Sequence, residues 1–109
     1  MSLLSRSEEI ILISVWQLKG NAYGVTIRAL AGEATCYPWS IGAVYAPLYR
    51  LEKKGLVVSN PGEPTPERGG RSKIYYELTP EGKRALVKIK RVHDVLWAET
   101  ANFQADETS

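Results

Sequence analysis

The periodicity of the sequence changes at Gly55, and this change limits the folds that the chain can adopt. Apolar residues before Gly55 recur at three- and four-residue intervals, as on one face of a helix: Ile41, Val44, Leu48 and Leu51. Residues 56–59 have the composition of a strand, and residues 61–70 hold too many Pro and Gly residues for regular structure. Residues 71–79 then alternate as a returning strand. A helix therefore leads into a hairpin with a long, partly basic tip.

The helix before the hairpin carries signals at both ends. Ser40 is suited to cap its first turn, and two lysines precede Gly55, which is a usual helix stop. Three larger polar or aromatic side chains fall largely off its apolar face: Tyr45, Tyr49 and Arg50. This arrangement is typical of a helix that enters a DNA groove, and equally of an ordinary amphipathic helix.

The remaining helices are predicted from caps and apolar patterns. Residues 5–8 have the form of a capping box, and residues 10–18 are apolar almost all round. Such a segment is a helix that also faces another subunit, or alternatively a short buried strand; the box and the length favour the helix. A second helix is expected over about residues 23–34. Thr79, Pro80 and Glu81 begin a final helix in favoured form.

The final helix carries a coiled-coil-like apolar stripe, formed by Leu86, Ile89, Val92 or His93, and Leu96. No chain follows that is long enough to cover this stripe, so it is expected to pack on its own domain or on a second copy. Residues 101–109 are small and polar, and we expect a flexible tail.

The composition favours a polyanionic partner and argues against a membrane-spanning protein and a zinc protein. The chain has 109 residues and a net charge of +2, but residues 1–93 hold 14 basic and 8 acidic side chains. A basic body with an acidic tail favours a polyanionic partner, although a mildly basic surface is the plain alternative. No apolar run approaches the roughly 20 residues of a membrane span. One His and one Cys do not furnish a standard zinc site, so no cofactor is expected, and the lone Cys36 fits a reducing cytoplasm.

The predicted order α-α-α-β-β-α is that of a winged helix-turn-helix, an α+β and mostly helical fold. Four segments carry a family resemblance: residues 22–27 (AYGVTI), 40–45 (SIGAVY), 48–56 (LYRLEKKGL) and 69–82 (GGRSKIYYELTPEG). Through these segments, in this order and spacing, the chain resembles the PadR family of bacterial transcriptional regulators, in its shorter class with one C-terminal helix.

The resemblance implies a homodimer that binds a pseudo-palindromic operator on double-stranded DNA, usually as a repressor. The third helix would enter the major groove, the wing would touch the minor groove or backbone, and the first and last helices would form the dimer. Some members of the family release DNA when a small aromatic molecule binds at the dimer interface. The expected division is a winged-helix domain over residues 1–79 and a dimerisation helix over residues 80–100 that packs on the same domain.

One departure from the family pattern concerns the third helix. The family commonly places Pro directly after the tyrosine of this helix, whereas here Ala46 stands there and Pro47 follows. Pro47 removes the hydrogen bond to the carbonyl of Ala43, so we expect a kink or a loosened first turn.

Candidate DNA contacts lie in three regions of the chain: Tyr23, Ser40, Gly42, Ala43, Tyr45, Tyr49, Arg50, Arg68, Gly70, Arg71 and Lys73. Each of the larger residues also has an alternative role within the fold. One of the rings of Tyr45 and Tyr49 could close the core, and Tyr23 could pack on the third helix. Arg50 could form an ion pair with Glu52 or another nearby acid. A winged-helix module that binds only protein is the main alternative function, and a small ligand-binding or enzymatic dimer is a second one.

Candidate ligand or dimer contacts lie on the first and last helices: Trp16, Leu86, Ile89, His93, Leu96 and Trp97. Aromatic rings there would line a pocket or form a plain hydrophobic seam. No carboxylate pair or Ser/His/Asp set indicates an enzyme.

Overall fold

The computed structural model describes residues 3–62 and 73–100. Its elements follow the predicted order: α1 (Arg6–Gln17), α2 (Gly24–Thr35), α3 (Ile41–Lys53), β1 (Val57–Pro61), β2 (Ile74–Leu78) and α4 (Pro80–Ala98). The two strands pair in antiparallel register, with Val57 opposite Leu78 and Pro61 opposite Ile74. The predicted winged helix-turn-helix with a C-terminal helix is confirmed.

The helices begin at the caps that the sequence indicates. Ser5 and Glu8 form the predicted capping box of α1, Ser40 accepts from the N–H of Ala43 at 3.0 Å, and Thr79 accepts from the N–H of Gly82 at 2.9 Å. Each of these contacts satisfies an N–H that has no partner within the helix.

The core lies where α1, α2 and α3 meet. It is aliphatic and completely enclosed: Ile11, Leu12, Val15, Ile27, Val44, Leu48 and Leu51 are each at most 1% exposed. The first half of α4 covers one side of this core through Ala85, Leu86 and Ile89, which are half-buried. Because α4 continues to Ala98, its second half extends beyond the core.

The packing of α3 corrects two expectations. Pro47 is buried in the core, whereas Ile41, predicted to be on the apolar face, is 50% exposed. The loosened first turn is not found, because the N–H of Val44 donates to the carbonyl of Ser40 at 3.2 Å. Ala43, whose carbonyl receives no N–H from Pro47, is exposed, so water can satisfy that carbonyl.

The hairpin differs from its prediction in detail. Pro61 is the last residue of β1 rather than the start of the irregular segment. Tyr76 and Leu78 pack against the core, while Ile74, on the same face of β2, is 42% exposed. Pro61 is tolerated in β1 because, within the described residues, this strand pairs only with β2 and so lies at an edge of the sheet.

Candidate nucleic-acid interface

The outward side of α3 is open along its whole length. Its core side is filled by Val44, Pro47, Leu48 and Leu51. The opposite side carries the exposed candidate contacts that the sequence indicates: Ser40, Gly42, Ala43, Tyr45, Tyr49 and Arg50. Small residues in the first turn and aromatic residues further along leave a helix face that a DNA groove can approach closely.

Tyr45 lies where α3 meets the start of α2. A Cβ built on Gly24 would overlap the hydroxyl of Tyr45, so the glycine that opens α2 makes room for this ring. The phenol also lies near Tyr76, whose pKa is raised by burial and, to a smaller extent, by Tyr45 and Glu52. Tyr45 nevertheless remains 40% exposed. It therefore closes a gap between three elements and keeps an accessible edge.

Tyr49 is the more open of the two aromatic residues on this face. Its side chain is 63% exposed, and the ammonium group of Lys53 lies 5.6 Å from the centre of its ring. The predicted alternative, in which this ring closes the core, does not hold. A phenol and a cation stand together on the outward face of α3, and both are groups that bind phosphate oxygens.

Arg50 takes the alternative that the sequence left open, an ion pair with a nearby acid, although the partner is Glu8 and not Glu52. Its Nε donates to Oε2 of Glu8 at 3.0 Å, and Nζ of Lys54 donates to the same oxygen at 3.0 Å. Glu8 is only 3% exposed. This junction, formed by Glu8, Arg50 and Lys54, fixes α3 against α1.

The pKa of Glu8 shows that the junction stabilises the ionised form of this carboxylate. Burial raises this pKa, but the N–H of Ser5 and the cations of Lys54 and Arg50 outweigh burial and lower it from 4.5 to about 2. The carboxylate is therefore ionised at neutral pH, and it neutralises part of the positive charge of α3.

The start of α2 and the base of the hairpin form one unit. The N–H of Tyr76 donates to the carbonyl of Ala22 at 2.8 Å, and the rings of Tyr23 and Tyr75 meet edge to face at 5.4 Å. The ammonium group of Lys73 lies 4.5 Å from the centre of the Tyr23 ring. Tyr23 thus packs on the hairpin, and the structure brings two of the candidate DNA contacts, Tyr23 and Lys73, side by side.

Three more of the predicted contacts belong to the segment between the two strands. Arg68, Gly70 and Arg71 lie outside the described residues. At the base of the wing, the N–H of Gly62 donates to the carbonyl of Lys73 at 2.6 Å.

The candidate interface residues of α1 and α4 divide into two groups. Leu86 and Ile89 are half-buried against the core, whereas Leu96 is 65% and Trp97 56% exposed. His93, also exposed, contacts Oε1 of Glu9 through Nε2 at 3.2 Å. Among the described residues, the second half of α4 therefore presents a largely exposed apolar surface.

Trp16 and Trp97 do not share a pocket within one chain. The ammonium groups of Lys19 and Lys83 lie 4.5 Å and 5.9 Å from the centre of the Trp16 ring. Trp97 is 14 residues beyond Lys83 on α4, which corresponds to about 21 Å along the helix. A site that uses both tryptophans therefore needs residues from two chains.

The described residues hold neither a metal-ligand cluster nor a membrane-spanning helix. Within residues 3–62 and 73–100, no group of three or more His, Cys, Asp or Glu side chains could hold a metal ion. None of the four described helices is long and apolar enough to cross a membrane.

Comparison with known proteins gives the family. The family model described as the transcriptional regulator PadR-like family matches residues 12–88, most of the chain, including α3, both strands and the start of α4. The chain belongs to the PadR-like family of transcriptional regulators. Membership implies a DNA-binding regulator, as the outward face of α3 also indicates. No curated protein matches the chain.

Solved structures share this PadR-like fold. A PadR-like transcriptional regulator from Bacillus cereus superposes with a TM-score of 0.71 at 22% identity, covering 87% of each chain. A transcriptional regulator from Clostridium thermocellum gives 0.68 at 24% identity, covering 93% of this chain and 98% of that one. A PadR family regulator from Eggerthella lenta gives 0.66 at 25% identity, covering 85% and 79%.

Sequence reasoning missed two features of this PadR-like chain. It treated Glu8 only as a capping residue, whereas Glu8 also binds two cations of α3 that are 42 and 46 residues away. It placed Ile41 in the core, where the structure places Pro47 instead. Local periodicity does not indicate the contacts of Glu8, because they join residues far apart in sequence. Proline is expected to disrupt a helix, so the burial of Pro47 within α3 was not predicted.

Proposed function

We propose that the chain is a cytoplasmic homodimeric repressor that binds a pseudo-palindromic operator. The observation that carries the proposal is the outward face of α3, which is exposed from Ser40 to Lys53 while the opposite face forms the core. In a PadR-like regulator this helix enters the major groove. The small residues Gly42 and Ala43 allow the backbone to approach the bases, and Tyr45 and Tyr49 reach phosphates or base edges.

The unit formed by α2 and the hairpin would bind the DNA backbone beside α3. Tyr23 and Lys73 meet at the start of α2, where the helix dipole also favours a phosphate. Arg68 and Arg71, which belong to the segment between the two strands, would add positive charge there, and Gly70 would permit close approach to the minor groove. Arg50 remains 46% exposed although its Nε is bound to Glu8, so its terminal nitrogens are available for a phosphate.

The apolar second half of α4 would form the dimer. Val92, Val95, Leu96 and Trp97 are each between 50% and 65% exposed in the single chain. Exposed apolar residues gathered on one helix indicate a protein contact. In this division residues 1–79 are the DNA-binding domain and residues 80–100 the dimerisation helix that packs on it.

A small aromatic effector would bind at the dimer interface and relieve repression. Trp16 of one chain and Trp97 of the other offer flat apolar rings, and two lysines lie against the Trp16 ring. A planar molecule that stacks on these rings would change how the two reading helices are spaced.

A gel-shift titration against the DNA upstream of the chain's own gene tests the proposed function. We expect a specific complex whose affinity falls steeply with salt, because Lys and Arg contacts release counterions from DNA. Arg71→Ala should weaken this complex and leave the dimer intact. Absence of a specific complex at low salt would refute the proposal and favour a winged-helix module that binds only protein.

A further inference from the structure

The first turn of α3 offers DNA very little hydrogen-bonding chemistry. Residues 41–44 are Ile, Gly, Ala and Val, and Val44 is buried in the core. The hydroxyl of Ser40 already accepts from the N–H of Ala43. The turn contains no Arg, Lys, Asn or Gln, the side chains that form bidentate hydrogen bonds with guanine or adenine.

Ile41 is the one large exposed side chain of that turn. It is 50% exposed, and it lies beside Val25 of α2, which is 60% exposed. The two side chains line a shallow groove of about 370 Å³, whose other lining residues are apolar or small, apart from two charged ones: Ala29, Gly32, Pro38, Trp39, Arg28 and Glu33. Exposed apolar surface is unfavourable in water. Burying these two aliphatic side chains against an apolar partner would therefore lower the free energy.

The major groove offers one apolar group, the 5-methyl group of thymine. From this match we infer that Ile41 is a specificity-determining residue that contacts a thymine methyl group in each half-site of the operator. The inference deepens the proposed function and rests on it. Ile41 stands between the exposed residues Ser40 and Gly42 in the first turn of α3, the turn that the proposed function brings to the bases.

The test removes the thymine methyl group from the DNA and, separately, shortens the side chain of Ile41 in the protein. Preferred duplexes are first selected from a random pool with the full chain. Each thymine is then replaced singly by uracil, which lacks only the methyl group, and affinity is measured by fluorescence anisotropy. At one position per half-site we expect wild-type binding to weaken roughly fourfold, because burial of one methyl group contributes about 0.8 kcal/mol.

The protein variants identify which residue senses the methyl group. Ile41→Ala should bind the thymine and uracil duplexes equally at that position, while Ile41→Val should keep most of the difference. Val87→Ala serves as a matched control, because Val87 is a 69% exposed aliphatic residue on α4, and it should keep the whole difference. Circular dichroism spectra establish that each variant is folded.

The outcomes separate the inference from the proposed function. Specific binding with no thymine-to-uracil penalty at any position, or with a penalty that Ile41→Ala retains, would overturn the role of Ile41 and leave the proposed function standing. A chain that selects no duplex from the pool would refute the proposed function, and the inference with it.

Discussion

The buried carboxylate of Glu8 joins α1 to the reading helix, and its removal has a calculable cost. Oε1 accepts from the N–H of Ser5 at 2.8 Å and from Lys54 at 3.1 Å, while Oε2 accepts from Arg50 and Lys54, each at 3.0 Å. Glu8→Gln keeps an acceptor for Ser5. It also places an NH₂ group, which only donates, against two cations.

The magnitude follows from the pKa of Glu8. Its fall from 4.5 to about 2 corresponds to about 3 kcal/mol of stability, since one pKa unit is about 1.4 kcal/mol. Arg50 and Lys54 are 46% and 37% exposed, so water screens part of the attraction, and we expect a loss of about 2 kcal/mol in Glu8→Gln. Because the folded pKa lies below the unfolded one, this stability is present above about pH 4.5 and is lost as pH falls toward 2.

Urea unfolding followed by circular dichroism measures this cost. At one fixed protein concentration, Glu8→Gln should lower the free energy of unfolding by about 2 kcal/mol at pH 7. The difference from wild type should shrink steadily between pH 4.5 and pH 2. Glu81→Gln is the matched control: Glu81 is 61% exposed and pairs with Arg84 at 3.3 Å, and surface pairs contribute at most about 1 kcal/mol.

Two results would refute this reasoning. A Glu8→Gln variant as stable as the Glu81→Gln control at pH 7 would show that the junction does not stabilise the fold. A stability difference that persists unchanged from pH 7 to pH 3 would show that its origin is packing rather than the charge of the carboxylate.

Three further changes test other parts of the structure. Gly82→Ala should destabilise the chain by about 2 kcal/mol or more in urea unfolding, because the added Cβ would overlap the backbone carbonyl of Leu56. Gly42→Ala is the control, because nothing lies within 4 Å of its added Cβ. It should leave stability unchanged or raise it by up to about 1 kcal/mol. Leu96→Asp should convert the proposed dimer to a monomer in sedimentation equilibrium, with a helical content like that of wild type; a dimer that persists in this variant would place the interface elsewhere. Planar aromatic molecules should quench tryptophan fluorescence, and Trp97→Phe should weaken their binding severalfold; equal affinity for the variant would exclude Trp97 from the effector site.

The local features of the fold could be predicted from the sequence because their causes are local. Ser5, Ser40 and Thr79 cap the helices that they were expected to cap, and Gly55 follows α3 with a positive φ of 76°. These signals depend on residues within one turn of each other, so a single sequence contains them in full.

The features that could not be predicted depend on distant residues. Ile41 and Pro47 both fit the period of an apolar face, and the elements that pack on α3 decide that Pro47 is buried while Ile41 is 50% exposed. Arg50 has acids close in sequence, yet its partner is Glu8 in another helix. Tyr23 likewise turned out to pack on the hairpin, because β2 pairs with the residues just before α2.

The proposed binding of DNA by the outward face of α3 can be tested with one matched pair of variants. The full chain is titrated into labelled DNA from upstream of its own gene, in excess non-specific DNA, and anisotropy gives the dissociation constant. Tyr49→Ala should weaken binding by about fivefold or more, since a good contact to DNA contributes about 1–3 kcal/mol, while Val87→Ala on α4 should bind like wild type. Tyr49→Ala binding as tightly as wild type would contradict the assignment of α3 as the reading helix.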